Sequence, residues 1–151
     1  MPHSANIIAQ VIISLSNPEV GDTISNLKLQ KLLYYCQGFS LALHNKPLFN
    51  ERIEAWQYGP VVPDVYHNYK SFSYNAIMPD ENFDYSKHIT EEEFALIREV
   101  YDVYGQFSAL KLMTMTHNEL PWSETKINQV IQHDILQKYF STLITKDGGQ
   151  A

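Results

Sequence analysis

The stretch from Thr23 to about Asn45 constrains this chain more than any other. Leu29, Leu32, Leu33, Cys36, Ser40 and Leu43 recur at helical spacing and mark a buried stripe, with Thr23 or Ser25 placed to cap the helix they define. Leu27, Tyr34, Tyr35 and Leu41 lie off that stripe, so the helix is apolar on more than one side. Such a helix has to be surrounded by other elements. In a chain of 151 residues, 44% of them hydrophobic, the material left over fits one globular domain with a continuous core and leaves no room for a second.

Local signals place the surrounding elements. Ser4 caps an amphipathic helix to Ser16 that carries Ile7, Ile8, Val11, Ile12 and Leu15, and Asn17-Pro18 ends it in a loop. Arg52 to Tyr58 alternates like a short strand, which Gly59-Pro60 stops. Pro63 and Asp64 suit the first turn of a helix bearing Val65, Tyr66 and Tyr69, and residues 71–88 form a long irregular loop. Thr90 with Glu93 is a capping box, Ile89 is placed to staple onto Phe94, and the helix they open carries Ile97, Val100, Tyr101 and Tyr104. After Gly105, Ser108 caps a helix that ends near His117, and Pro121 takes residues 118–122 out of it. A last helix runs from about Lys126 to Leu143 on Ile127, Val130, Ile131, Ile135 and Tyr139. The expected fold is mainly α: a compact single-domain bundle of about five to six helices with a short extended or β segment near residues 51–58. Residues 1–146 are expected to form that domain, and 147–151 a disordered tail.

Composition narrows the function classes. No apolar run reaches the roughly 18 residues a membrane span needs, so no membrane partner is expected. Met1 to Ala5 carries no lysine or arginine, which argues against a secretory signal, and the single cysteine, Cys36, fits a reducing, cytoplasmic compartment. A net charge of −6 with scattered cations repels a phosphate backbone, so nucleic-acid contact is disfavoured. Lys28 and Lys31 share one helical face as the best local basic pair, although a solvated face is the plainer reading of them.

Chemistry has few signposts. There is no Cys-x-x-Cys, no His-Glu-x-x-His and no glycine-rich phosphate loop, so no metal, cofactor or catalytic residue is expected. His117-Asn118-Glu119 has the spacing of a zinc deaminase His-x-Glu, but no Pro-Cys-x-x-Cys follows to complete it. His44 and His117 close helices, where an imidazolium is favoured, and Cys36 lies within an apolar stripe. The ten tyrosines and two tryptophans are more telling, because Trp56, Tyr58 and Trp122 sit beside glycine, proline or an extended run. Each is either a core plug or a rigid anchor for a partner, and for Tyr58 and Tyr66 the two readings balance.

The residues then suggest a family. Leu27-Lys28-Leu29-Gln30-Lys31-Leu32-Leu33-Tyr34-Tyr35, Gly38 with His44, Pro47-Leu48-Phe49, the run Glu54 to Pro63 (EAWQYGPVVP) with Val65-Tyr66, and Thr116-His117 with Pro121-Trp122 together resemble the Panacea antitoxin domain of SocA-like and phage-associated proteins. The resemblance spans about residues 4–142. It implies a small helical fold and the neutralising half of a toxin–antitoxin pair, which binds directly to a cognate toxin encoded by an adjacent gene. Some such proteins are thought to act as adaptors that present the toxin to an ATP-dependent cytosolic protease. Carried onto this chain, the partner-binding positions are Lys28, Lys31, Tyr34, Trp56, Tyr58, Gly59, Pro60, Tyr66, His117 and Trp122. No additional N-terminal DNA-binding region is seen, so operator binding is not expected; a homo-oligomer is compatible with the family.

Two alternatives stand beside this reading. One is a phage or mobile-element protein that engages a host factor, and the other is an enzyme assembled in space from His44, His117, Glu54 and Glu119.

Overall fold

A computed structural model describes residues 2–144. Its helices are α1 (Ala5–Ser14), α2 (Asn26–His44), α3 (Pro63–Tyr69), α4 (Glu91–Tyr104), α5 (Ala109–His117), α6 (Leu120–Ser123) and α7 (His133–Thr142), and strands β1 (Glu54–Trp56) and β2 (Gly59–Val61) form one small hairpin. The mainly α architecture is the one expected, with α6 the helix not foreseen. The expected disordered tail, residues 147–151, lies outside the described residues.

α2 is the axis of the molecule. It contacts α1, α3, α4, α5, α7 and β2, and fifteen consecutive or near-consecutive residues from Asn26 to Leu41 are buried, Leu27 apart. Ser25 is its N-cap, accepting from the Lys28 N–H at 3.3 Å, and Asn45 closes it in the left-handed region at φ 58°. Buried Gln37 then pins the chain that leaves: its amide accepts from the Leu48 N–H at 2.8 Å and donates to the Phe49 carbonyl at 2.9 Å. α7 lies along α2 and inserts Phe140 edge-on to Tyr34 and Phe39, at ring distances of 5.4 and 4.8 Å.

The capping box of α4 is formed in both directions, the Glu93 N–H donating to the Thr90 hydroxyl at 3.1 Å and the Thr90 N–H to the Glu93 carboxylate at 2.8 Å. That carboxylate also holds His3 Nε2 at 2.9 Å, so the helix start fastens the N-terminal arm. Thr90→Ala is expected to cost about 1 kcal/mol, read as a lower denaturant midpoint at unchanged slope.

Three local readings are corrected. Gly59-Pro60 does not end the extended run but forms the returning strand, paired as Trp56 with Gly59 and Ala55 with Pro60 around Gln57-Tyr58. Proline is tolerated there because the Ala55 backbone N–H and C=O face the other edge, where they meet Gln129 and Asn128, so no N–H is required of residue 60. The final helix starts at His133 and not near Lys126. Residues 128–131 instead run beside β1, with the Asn128 N–H bonded to the Ala55 carbonyl at 2.6 Å and the Ile131 N–H to the Ile53 carbonyl at 2.8 Å. The open edge of β1 outweighs the helical spacing of Ile127, Val130 and Ile131, and Asn128, at φ 70°, supplies the bend. Finally, the chain leaves α5 at Asn118 as expected but re-enters helix at Leu120, with Pro121 in the first turn where no N–H is needed.

Candidate functional site

The hairpin, α3 and the α5–α6 corner meet on one side of α2. Tyr58 stands at the hairpin tip and is 58% exposed. Trp56 is half-buried, donates its indole N–H to the Glu54 carboxylate at 2.9 Å, and meets the Tyr66 ring edge-on at 5.0 Å. Trp122 donates its own indole N–H to the Trp56 carbonyl at 2.8 Å and stacks on His117 at 4.1 Å. Tyr66, Trp56, Trp122 and His117 are therefore linked in a continuous chain of contacts, although the sequence places them in separate segments. A groove of about 660 Å³ runs past Trp56, Tyr58 and Tyr66, with Leu27, Val61 and Tyr74 completing its apolar wall.

Beneath the hairpin lies a layer of buried polar groups. Lys31 is fully buried under Gly59, where an added Cβ would come within 2.6 Å of the lysine Cε and 3.0 Å of the Thr116 hydroxyl. With φ at +112°, Gly59 is required both for its backbone conformation and for this close approach. The Lys31 ammonium reaches only the Pro60 carbonyl, at 3.4 Å, and burial holds its pKa down at about 7. One turn further along α2, the Tyr34 and Tyr35 hydroxyls donate to the two oxygens of Glu119 at 2.9 and 2.8 Å. Burial pushes the Glu119 carboxyl up to about 7 against those two hydrogen bonds, and burial followed by the nearby carboxylate raises both tyrosines. His117 Nε2 is buried and has no hydrogen-bond partner.

The ten positions carried from the family motif thus separate. Trp56, Tyr58, Gly59, Pro60, Tyr66, His117 and Trp122 are brought together around the hairpin, with Lys31 directly below. Tyr34 is buried and points to Glu119, so it presents no surface. Lys28 lies apart: its ammonium donates to the Gly105 carbonyl at 2.6 Å at the α4–α5 junction, and burial lowers its pKa while Asp22 opposes the shift. Neither the basic patch nor the solvated face read for Lys28 and Lys31 exists, because both lysines are buried, 8% and 0% exposed. From Lys28 to Leu41 α2 is surrounded and has no solvent face to offer them, whereas Leu43, expected in the buried stripe, lies beyond that stretch and is 40% exposed.

The four residues considered as an enzyme site are not hydrogen-bonded to one another. Glu54 is held by Arg52 and Trp56, Glu119 by the two tyrosines, and His117 by the Trp122 stack, while His44 ends α2. Among the described residues no three His, Cys, Asp or Glu side chains gather as a metal site, and no helix is long and apolar enough to cross a membrane. Tyr74, which completes the groove, was missed by sequence reasoning, since nothing local distinguishes it from other loop tyrosines.

Fold and site together define a small, mainly α domain that carries an aromatic hairpin groove over a buried polar layer. The family model described as antitoxin SocA-like, Panacea domain matches residues 29–123, and the chain belongs to that family. It is similar to Antitoxin SocA of Caulobacter vibrioides (strain NA1000 / CB15N), 43% identical over 72 residues, which are 48% of this chain and 34% of the relative. The match thus spans about a third of that relative's length. No solved structure matches the chain.

Proposed function

We propose that this protein is the antitoxin of a toxin–antitoxin pair and neutralises a cognate toxin protein, the product of an adjacent gene, by binding it directly. The observation that carries the proposal is the aromatic groove: Tyr58 stands exposed on a firmly seated hairpin beside half-buried Trp56, whose ring meets Tyr66 of α3. Rigid, amphipathic rings at the rim of a groove lose little entropy on docking and dominate interface energetics. Family membership supplies the kind of partner. The proposed action is steric, with the groove covering the toxin's working surface and no bond made or broken. The proposed compartment is the cytosol, in keeping with the lone, buried Cys36 thiol.

Co-expression with the adjacent gene tests this directly. A harmless product, or a toxicity this protein leaves unchanged, removes the antitoxin role for this chain. Turnover of a small molecule by the purified protein removes the proposal of action without chemistry. Tyr58→Ala combined with Tyr66→Ala is expected to weaken toxin binding by about 3 kcal/mol, roughly a hundredfold, measured by calorimetric titration. The far-ultraviolet circular dichroism is expected to stay that of the parent, and unaltered affinity would move the docking face elsewhere.

A further inference from the structure

The excursion from Ser71 to Ser86 is seated from inside and decorated on its outside. Ile77 is 3% exposed and its N–H donates to the Ile24 carbonyl at 2.8 Å. Phe83 stacks on His88 at 5.3 Å and Tyr85 on Phe94 at 3.7 Å, both rings half-buried against the core. These three residues account for how the loop is held. Phe72, Tyr74 and Met78 do not take part in that work: they are 36%, 87% and 64% exposed. Tyr74 stands between two depressions and lines both, the aromatic groove on one side and, on the other, a polar hollow of about 780 Å³ reaching Asp22, Lys28 and the Arg98–Asp102 ion pair.

The segment itself is acidic: residues 71–86 carry Asp80, Glu81 and Asp84, all exposed, and no cation, while the exposed Lys70 and Lys87 stand at its two ends. The rest of the surface reinforces it, because two of the eleven cations, Lys28 and Lys31, are buried, and the accessible surface is more acidic than the net charge of −6 conveys. Exposed apolar side chains on a pinned loop, flanked by carboxylates, complement a surface that is apolar at its centre and basic around it.

We infer that the 71–86 excursion is a second docking element, contiguous with the hairpin groove across Tyr74, and that it recognises a basic surface of a protein partner. The inference rests on the antitoxin reading and adds the chemical character of the partner and a new anchor. Tyr74 and Met78 supply the desolvated centre, and Asp80, Glu81 and Asp84 steer a cationic partner toward it. Because Ile77, Phe83 and Tyr85 already hold the loop, little ordering remains to oppose association.

The test is the kinetics of binding to the purified product of the adjacent gene, at low and at physiological salt. Tyr74→Ala with Met78→Ala is expected to speed dissociation about tenfold. Asp80→Asn, Glu81→Gln and Asp84→Asn together are expected to slow association about tenfold at low salt and to flatten its salt dependence. The Asp84→Asn change keeps a side-chain oxygen where Asp84 accepts from the Ser86 N–H at 3.0 Å, so the turn is preserved. If both variants bind as the parent does while Tyr58→Ala with Tyr66→Ala loses affinity, the second element is refuted and the antitoxin reading stands. If no binding is seen even for the parent, both fall. If the parent self-associates and Tyr74→Ala with Met78→Ala abolishes that, the face joins two copies of this chain and the inference is overturned.

Discussion

Gly38→Ala is expected to destabilise the protein by about 3 kcal/mol. A Cβ at this position of α2 would lie 2.2 to 2.6 Å from three ring atoms of Phe140. The ring has nowhere to go: it is fully buried and meets Tyr34, Tyr35, Phe39 and Tyr139 edge-on at 4.8 to 6.0 Å. Relief therefore requires α7 to move off α2 as a body, at the cost of that aromatic packing. Denaturant unfolding reads the loss directly. Phe140→Leu in the Gly38→Ala background is expected to recover part of it, and two simply additive losses would show that the contact between the helices is not the cause.

The second large effect concerns pH. Lys31 in the folded protein titrates at about 7 instead of 10.5, so between those values the unfolded chain holds more protons and stability rises with pH. Glu119 titrates at about 7 instead of 4.5, so between 4.5 and 7 the folded chain holds more protons and stability falls as pH rises. Together the two groups give stability a local minimum near neutrality. Lys31→Met replaces a desolvated charge by an apolar side chain of similar length and is expected to stabilise the fold by about 3 kcal/mol at pH 7 and below. The advantage is expected to shrink as pH rises from 7 toward 10.5. Glu119→Gln is expected to flatten the other arm, between 4.5 and 7, and midpoints measured from acid to alkaline pH distinguish the two. A monotonic curve in the parent would show that one of the two groups keeps its ordinary pKa.

Lys31 lies beneath the hairpin that carries Trp56 and Tyr58, so the proposed docking face rests on a desolvated ammonium, with the Glu119 carboxyl held one turn further along α2. That cost is invisible locally. Lys31 reads as half of a surface pair with Lys28 because three-residue spacing shows which face they share but not what covers it. Glu119 reads as a member of the His117-Asn118-Glu119 triplet and of the alternative enzyme site, since its actual partners Tyr34 and Tyr35 lie 85 and 84 residues away. Tyr58 was legible as a candidate from Gly59-Pro60 beside it and Tyr66 from the constrained turn nearby, whereas Tyr74 gained meaning only once two depressions met at its ring.

The sequence by itself determined where the four side-chain-capped helices begin, which helix is central, and to which family the chain belongs. Ser4, Ser25, Thr90 and Ser108 cap as read because a cap is made within three residues of backbone. Centrality followed from apolar residues on every side of α2, and membership from motifs that survive in linear order. The tertiary structure alone decided that residues 128–131 pair with β1, that two lysines are buried, and which aromatic rings share a groove. Those outcomes depend on which distant segment fills an open edge or covers a helix face, and spacing along the chain cannot record it.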